Sequence, residues 1–564
     1  MRKILLILII LTFSDVLFSQ VPVLTNAFRL DSLRRPYGKS SVPLITDLNR
    51  DGIKEIVFST IGPTVPTIAL YVLRPDGSSF PGFPKGYNNE YLLLDIASGD
   101  VNGDGYIDLV LRFQNKVDVI DRFGNSLPGF PVSYPTGDNP DNFVTIYDLD
   151  NDGKLEIITS DIGKLVVFNH NGTIRNGFPV NIVQRIKMNP AVMDIDRDGY
   201  AEIITFSYKR LTNPPYVSDG TLYCFKHDGS QAPGNWPVLY DSAYHEYYAS
   251  PSVYYDQSVD SLYVLFTAYR IISPMNYVNR LDKYDALGNL ILRKTFHPHI
   301  AEGTNVILKD NNEIKYLSGS QTWDEILWLF DRNFTVLPGW PTPANSGIWR
   351  TAISGILTYE NSNLILASDG ADTGYGRIRA FNMAGQELSW SPLYFEGSQY
   401  GFSLSDLNSD GSTELIVVSV RYEYDCRVSI FTFPGIPFSY ENFSWSMYAH
   451  DRYRTNQFGF IPPDEPVGIQ PITNNIPDKF ILHQNYPNPF NPFTQIRFEL
   501  PVKSFVRLKI YDALGREVQS IVNSELRAGV YQITFQSGAL PSGVYFCRVE
   551  AGDYIETKKM ILIK

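Results

Sequence analysis

Five stretches of this chain repeat one nine-residue frame, Asp-x-Asp/Asn-x-Asp-Gly-x-x-Asp/Glu, beginning at Asp47, Asp100, Asp148, Asp194 and Asp406. A frame that returns this often makes a repeat architecture the first possibility to weigh. Each copy runs at once into an apolar, β-branched segment such as Ile56-Val57-Phe58 or Ile203-Ile204-Thr205, which reads as a strand entered from a tight acidic turn.

A second token recurs downstream, an apolar strand ending in a turn. Its eight copies are Tyr71–Gly77, Val119–Gly124, Val166–Gly172, Tyr223–Gly229, Lys283–Gly288, Leu329–Phe334, Arg379–Gly385 and Ser429–Gly435. Gly-Phe-Pro or a Trp equivalent follows several of them, at Phe83, Phe130, Phe178, Trp236 and Trp340, and the aromatic is expected to wedge between neighbouring sheets. A period of roughly 46 to 60 residues with several short strands and no helix is what a four-stranded propeller blade needs. The expected fold is therefore all-β, a β-propeller of eight blades with seven as the fallback. A sandwich array or a β-helix would call for longer modules or a much shorter period.

Composition agrees with packed sheets: 14% of residues are aromatic and only 19% charged. Three cysteines, Cys224, Cys426 and Cys547, are too few for a disulfide framework. The net charge of -12 disfavours nucleic acid or an anionic membrane as partner. At the N-terminus Met1-Arg2-Lys3, the apolar run Ile4–Leu11 and Ser19 have the form of a signal peptide over residues 1–19, and the apolar run is too short to span a bilayer.

The repeats resemble the FG-GAP/VCBS repeats of integrin α-subunit propellers and their bacterial relatives, from about Ser41 to Gly435. In that family the loop joins the first two strands of a blade and holds calcium, which implies the same here. The residue types suit the ion, because calcium takes six to eight hard oxygens and alternate side chains at positions one, three and five of a tight loop converge on one point. Glycine at position six allows the turn, position seven offers its carbonyl, and the acid at position nine closes the shell. The expected ligands are Asp47, Asn49, Asp51, Ile53 and Glu55; Asp100, Asn102, Asp104, Tyr106 and Asp108; and Asp148, Asp150, Asp152, Lys154 and Glu156. The fourth and fifth sets are Asp194, Asp196, Asp198, Tyr200 and Glu202, and Asp406, Asn408, Asp410, Ser412 and Glu414. An EF-hand would need Glu at position twelve and a following helix, whereas here position twelve is Phe58, Leu111, Thr159, Thr205 or Val417. Metal-free Asx turns are the plainer alternative. The stretches Tyr255–Ser261, Lys309–Glu313 and Thr358–Asn363 lack the frame, so blades five to seven receive no metal.

Residues 461–478, rich in Pro and polar side chains, read as a linker after a propeller spanning 20–460. Short strands with turns then form a small β-sandwich over 479–564. Asn485-Tyr-Pro-Asn-Pro-Phe-Asn-Pro492, Ile510-Tyr-Asp-Ala-Leu-Gly-Arg516, Pro541-Ser-Gly-Val-Tyr-Phe546 and the terminal Lys558-Lys559-Met560 resemble the type A C-terminal sorting domain of the bacterial type IX secretion system. That resemblance implies handling by the type IX machinery and a place outside a Gram-negative cell, secreted or on its outer surface, with no transmembrane span in the mature chain.

No Gly-x-Ser-x-Gly elbow, His-Glu-x-x-His pair or complete P-loop occurs, so no catalytic residue is assigned. Two functions are weighed. Aromatic residues in the connections between second and third strands, Tyr208, Tyr216, Tyr269, Tyr277, Trp323, Tyr375, Tyr422 and Tyr424, suit stacking on sugars or protein hot spots and favour an adhesion or recognition module. A calcium-stabilised polysaccharide lyase is the alternative by analogy of fold, with only scattered basic candidates such as Arg210 and Arg270.

Overall fold

The computed structural model describes residues 21–563 except 32–41, 62–66, 89–92, 134–142, 162, 183–185, 187, 209–219, 241–249, 274–275, 297–304, 311–312, 320–326, 343–354, 360–361, 371–374, 422–424, 439–450, 452, 458–459, 461, 463–476, 492, 503, 527, 537–539 and 553. The expected signal-peptide segment and most of the expected linker therefore lie outside the described residues. The described residues are strands and turns without an α-helix, so no helix among them is long and apolar enough to cross a membrane. The chain divides into two compact units, Met1–Leu48 with Lys54–Pro462, and Asn49–Ile53 with Pro463–Lys564.

In the first unit eight antiparallel sheets follow one another along the chain. Their innermost strands are Leu44–Thr46, Leu93–Gly99, Thr145–Tyr147, Ala191–Met193, Ser252–Asp256, Val306–Asp310, Gly355–Tyr359 and Ser398–Ser405. Each pairs with the next strand in sequence, the pattern of a meander, and all sheets but the sixth have four described strands. The eighth sheet takes its fourth strand from the N-terminus, Val23–Asp31, which pairs along Asp425–Pro437 from Val23↔Thr432 to Asp31↔Asp425. This stitches the two ends of the unit together. The eighth sheet also packs on the first: Lys54 donates its amide to the Leu407 carbonyl at 2.8 Å, and Ser403 Oγ donates to the Pro43 carbonyl at 2.5 Å. The sheets thus close into a propeller.

Packing between sheets explains the Gly-Phe-Pro token. Phe83, Phe178, Trp236 and Trp340 are buried, and the two indoles donate to carbonyls of the following sheet's turn, Trp236 to Ala286 at 3.0 Å and Trp340 to Met383 at 2.9 Å. The glycine before the aromatic is required by a close approach: a Cβ on Gly177 would lie 1.7 Å from the Asp228 carbonyl oxygen. Burying a Phe or Trp at each such junction contributes on the order of 2 kcal/mol.

After the eighth sheet the chain returns to the inner strands. The carbonyls of Tyr453, Thr455 and Asn456 accept from the amides of Ile146, Val192 and Val253 at 3.0, 3.0 and 3.1 Å, and Arg454 Nε donates to the Ile96 carbonyl at 3.0 Å. One short segment therefore ties the innermost strands of sheets two to five, with Arg454, Thr455 and Asn456 fully buried. The three cysteines are buried.

The second unit is a sandwich of a three-stranded and a four-stranded sheet around Phe498, Leu508, Tyr531, Val549 and Met560. Its alternation is visible in Gly543–Ala551, whose even-spaced Tyr545, Cys547, Val549 and Ala551 face inward. The Asn-Tyr-Pro-Asn-Pro-Phe run works as a clasp. Asn485 Nδ2 donates to Thr494 Oγ1 at 2.9 Å, Asn488 Oδ1 accepts from the Ile561 amide at 2.8 Å, and Phe490 is buried beneath.

Candidate metal loops

In the five sheets that carry the acidic frame, an eight-residue loop joins the innermost strand to the second. Register fixes its two ends: Thr46↔Glu55, Gly99↔Asp108, Tyr147↔Glu156, Met193↔Glu202 and Ser405↔Glu414 are Cα partners. Position nine is thus the first paired residue of the second strand, directly opposite the residue preceding position one. The two acids that begin and end the frame are brought together by the ladder itself.

Within the loops the acidic side chains hold backbone. Position nine accepts from the amide of position two, at Leu48, Val101, Leu149, Ile195 and Leu407, over 2.9–3.1 Å. Position one accepts from the glycine amide of position six, at Gly105, Gly153, Gly199 and Gly411, over 2.9–3.0 Å. Position five accepts from the amide of position seven, at Ile53, Tyr106, Lys154, Tyr200 and Ser412, over 2.7–2.9 Å. The glycines sit at φ of 85 to 94°, a conformation that a side chain disfavours. Side chains at position seven point out, with Ile53, Tyr106 and Tyr200 exposed, so only the backbone of that position can face the loop's interior.

The oxygens left without a donor are the ones available to a metal. Among the described residues two groups bring three carboxylates to within 4.8 Å of one another, Asp148/Asp150/Glu156 and Asp194/Asp196/Glu202. Asp194 Oδ1 and Glu202 Oε1 are buried and accept no hydrogen bond. A buried carboxylate oxygen with no donor carries a desolvation cost that a cation would offset. Burial also pushes the position-nine carboxyls of Asp108, Glu156, Glu202 and Glu414 up to about 8, with neighbouring carboxylates adding to the shift. Burial likewise raises Asp148, Asp194 and Asp406 at position one. Asx turns are present, as the metal-free alternative expects, and in Asp148 and Asp406 they occupy both carboxylate oxygens, but they leave Asp194 Oδ1 and Glu202 Oε1 without a donor. The remaining hard oxygens fit a divalent cation of the calcium type.

Two basic residues at these loops carry no signal in the nine-residue frame. Arg175 lies 2.9 Å from Asp150 Oδ2 and 3.2 Å from Glu156 Oε1, and Lys226 lies 2.8 Å from Asp196 Oδ2 and 2.6 Å from Asp198 Oδ2. Lys226 follows the pair Ile203↔Phe225, and only that register, invisible in the linear sequence, sets it opposite Glu202.

The aromatic candidates fare differently. Tyr208, expected at a connection, is the last residue of the strand Glu202–Tyr208 and is 6% exposed in the core between sheets four and five. The second strand runs on further than its apolar pattern indicated and turns Tyr208 inward. Tyr269 and Tyr277 belong to the long paired strands Ser261–Ser273 and Asn276–Asp285 rather than to a loop, and Tyr375 opens the strand Tyr375–Phe381. Tyr216, Trp323, Tyr422 and Tyr424 lie outside the described residues, as does Arg210.

Family models match two parts of the chain: an FG-GAP-like repeat over residues 100–159 and 148–205, and a secretion system C-terminal sorting domain over 484–564. No curated protein matches. Among solved structures the chain is similar to the V. cholerae biofilm matrix protein Bap1, at 12% identity and a TM-score of 0.41, covering 75% of this chain and 94% of that one. It is also similar to the WD40 domain of Toxoplasma gondii coronin, at 10% identity and 0.36, covering 78% and 95%. PorZ, a surface component of the type IX secretion system of Porphyromonas gingivalis, matches at 9% identity and 0.21, covering 95% and 100%. The chain is accordingly an all-β propeller protein with FG-GAP-like repeats and a type IX sorting domain, exported to the cell surface or the medium.

Proposed function

We propose that this protein is an eight-bladed, calcium-stabilised propeller acting outside the cell as an adhesion or recognition module for a surface glycan or protein. In this reading residues 1–19 are a signal peptide, 20–460 the propeller, 461–478 a linker and 479–564 the sorting domain. The observation that carries the calcium assignment is the buried pair of undonated oxygens, Asp194 Oδ1 and Glu202 Oε1, inside a three-carboxylate group. Calcium would supply fixed positive charge there, and all twenty-five frame residues would act as scaffold in the same way. At the affinities of extracellular modules, about 10⁻⁴ to 10⁻³ M, the loops fill outside a cell and stay largely empty inside it.

Recognition is assigned to the opposite ends of the sheets. Adjacent strands are antiparallel, so the connection between second and third strands lies away from the metal loops. Support comes from the fifth sheet, where those strands run for 13 and 10 residues and carry Tyr269 and Tyr277 near their shared end. Loops and arms held by a rigid scaffold are where binding residues concentrate. The test pairs a melting curve with a glycan-array screen of the purified protein. Chelator should lower the melting temperature, because calcium binds the folded state alone. Tyr277→Ala with Trp323→Ala should abolish array binding while leaving that calcium response intact. An unchanged melting curve in chelator sinks the metal assignment, and intact binding by the aromatic double variant sinks the face assignment.

A further inference from the structure

Position three divides the five loops into two kinds. In the loops beginning at Asp47, Asp100 and Asp406 it is Asn, and its amide donates to the position-five carboxylate: Asn49 to Asp51 at 2.9 Å, Asn102 to Asp104 at 3.1 Å and Asn408 to Asp410 at 3.0 Å. In the loops beginning at Asp148 and Asp194 it is Asp150 or Asp196, which has no proton to give and adds a fourth carboxylate. A basic side chain from the same sheet enters each of these two loops. Lys226 Nζ bridges Asp196 and Asp198, positions three and five, standing where the Asn amide stands elsewhere. Arg175 spans Asp150 and Glu156, and its Nε donates to the His227 carbonyl of the next sheet at 2.9 Å, which fixes its reach. Arg175 therefore rests on the inner oxygen of Glu156, whose other oxygen is taken by the Leu149 amide. In the Asp194 loop the corresponding Glu202 oxygen is undonated.

We propose that Arg175 and Lys226 are tethered counter-ions that neutralise the extra carboxylate of these two loops when calcium is scarce and lower the affinity with which the loops take it. The inference rests on the calcium reading and adds a regulation to it. A cation on a side chain cannot diffuse away, so it holds the loop folded without metal; the ion must displace or outcompete it to use the same oxygens. The competition is electrostatic and weakens as salt screens it.

Calorimetric calcium titration of the purified protein tests this, with melting curves in chelator beside it. Lys226→Met should tighten one class of site about threefold to tenfold, the scale of one or two half-exposed ion pairs. It should lower the melting temperature in chelator and widen the calcium-induced rise. Arg175→Met should do the same more strongly, because Arg175 is only 11% exposed and touches Glu156, 2% exposed. The double change Asp196→Asn with Lys226→Met should recover the chelator melting temperature by restoring the amide found in the other loops. A purely structural role would lower the melting temperature equally with and without calcium and leave affinity unchanged, and that result overturns the proposal. Asp196→Ala serves as the separate control: if it removes no calcium from the stoichiometry, the calcium reading itself has failed.

Discussion

The fourth and fifth sheets are neighbours built on the same ladder, yet they treat the end of the second strand in opposite ways. Val192↔Ile203 and Val253↔Val264 are equivalent pairs, each with its inner residue bonded to the returning segment at Thr455 or Asn456. One residue back along the second strand stand Glu202 and Tyr263. In sheet four the eight-residue loop Asp194–Ala201 gathers carboxylates around Glu202. In sheet five a four-residue turn, Gln257–Asp260, replaces the loop, and the Lys283 ammonium lies 3.7 Å over the Tyr263 ring. Asp256 at the strand end takes Ser258 Oγ at 2.6 Å and has Arg332 at 3.7 Å. Sheets six and seven also have short turns, closing at Asp310↔Glu313 and Tyr359↔Ser362. Two ways of holding the hairpin are set side by side: carboxylate oxygens gathered within reach of one another, where a diffusible cation would fit, and a covalent cation over an aromatic ring. Loops with Asp at position three bring a tethered cation to the gathered oxygens, since Arg175 and Lys226 enter them.

The largest expected effect separates these chemistries by calcium dependence. Glu202→Gln keeps the shape and the acceptor for the Ile195 amide but removes a charge from the loop. At a hundredfold excess over its dissociation constant one calcium stabilises the fold by about 2.7 kcal/mol. Glu202→Gln should forfeit most of that in calcium and cost nothing in chelator, where the buried carboxylate is itself unfavourable. Asp256→Ala should cost about 1–2 kcal/mol in lost hydrogen bonds, equally in both conditions. Chemical denaturation in calcium and in chelator measures both, and equal losses for Glu202→Gln in the two conditions would erase the distinction.

A second test sharpens the contrast through pH. Without metal, Asp108, Glu156, Glu202 and Glu414 have folded pKa values of about 8, above their unfolded values, so the folded state binds more protons between roughly pH 4 and 8. Stability in chelator should then be greatest near pH 5 and fall as pH rises to 8. Calcium binding requires the ionised form and should reverse that slope. A chelated protein whose denaturation midpoint is level across this window would show that the acids are not held as the structure places them.

Much of this was legible in the sequence because its carriers are local. The frame from Asp194 to Glu202 contains its own turn, its own ligands and the start of its strand, so spacing alone predicts their convergence. The all-β repeat was legible the same way, from a hairpin token that recurs along the chain. What spacing could not show depends on register between distant segments. Lys226 is a plain surface lysine in the sequence and meets Asp196 only because Phe225 pairs with Ile203. Tyr208 looked like a loop aromatic because the strand's end is set by its partner Gly220, not by its own pattern. The returning segment Tyr453–Asn456 has no apolar run to mark it as core, yet it is buried because its carbonyls take amides of the inner strands.

The smallest expected effect concerns Lys283, and its sign is the informative part. Burial lowers its folded pKa to about 8, against the pull of Asp256 and with Arg332 adding to the shift. The unfolded chain therefore holds its proton more tightly, and wild-type stability should rise with pH between about 8 and 10.4. At neutral pH the ammonium is kept charged at some cost, only partly returned by the Tyr263 ring. Replacing a buried charge by an apolar side chain of similar length often stabilises, and Lys283→Met should raise stability by about 1 kcal/mol at pH 7. The gain should shrink toward zero as pH approaches 10, and it should be the same in calcium and in chelator, unlike any change at the Asp194 loop. A loss of stability at pH 7 would mean that the cation over Tyr263 is a needed replacement for the metal, and the fifth sheet would then resemble the fourth more closely than its short turn implies.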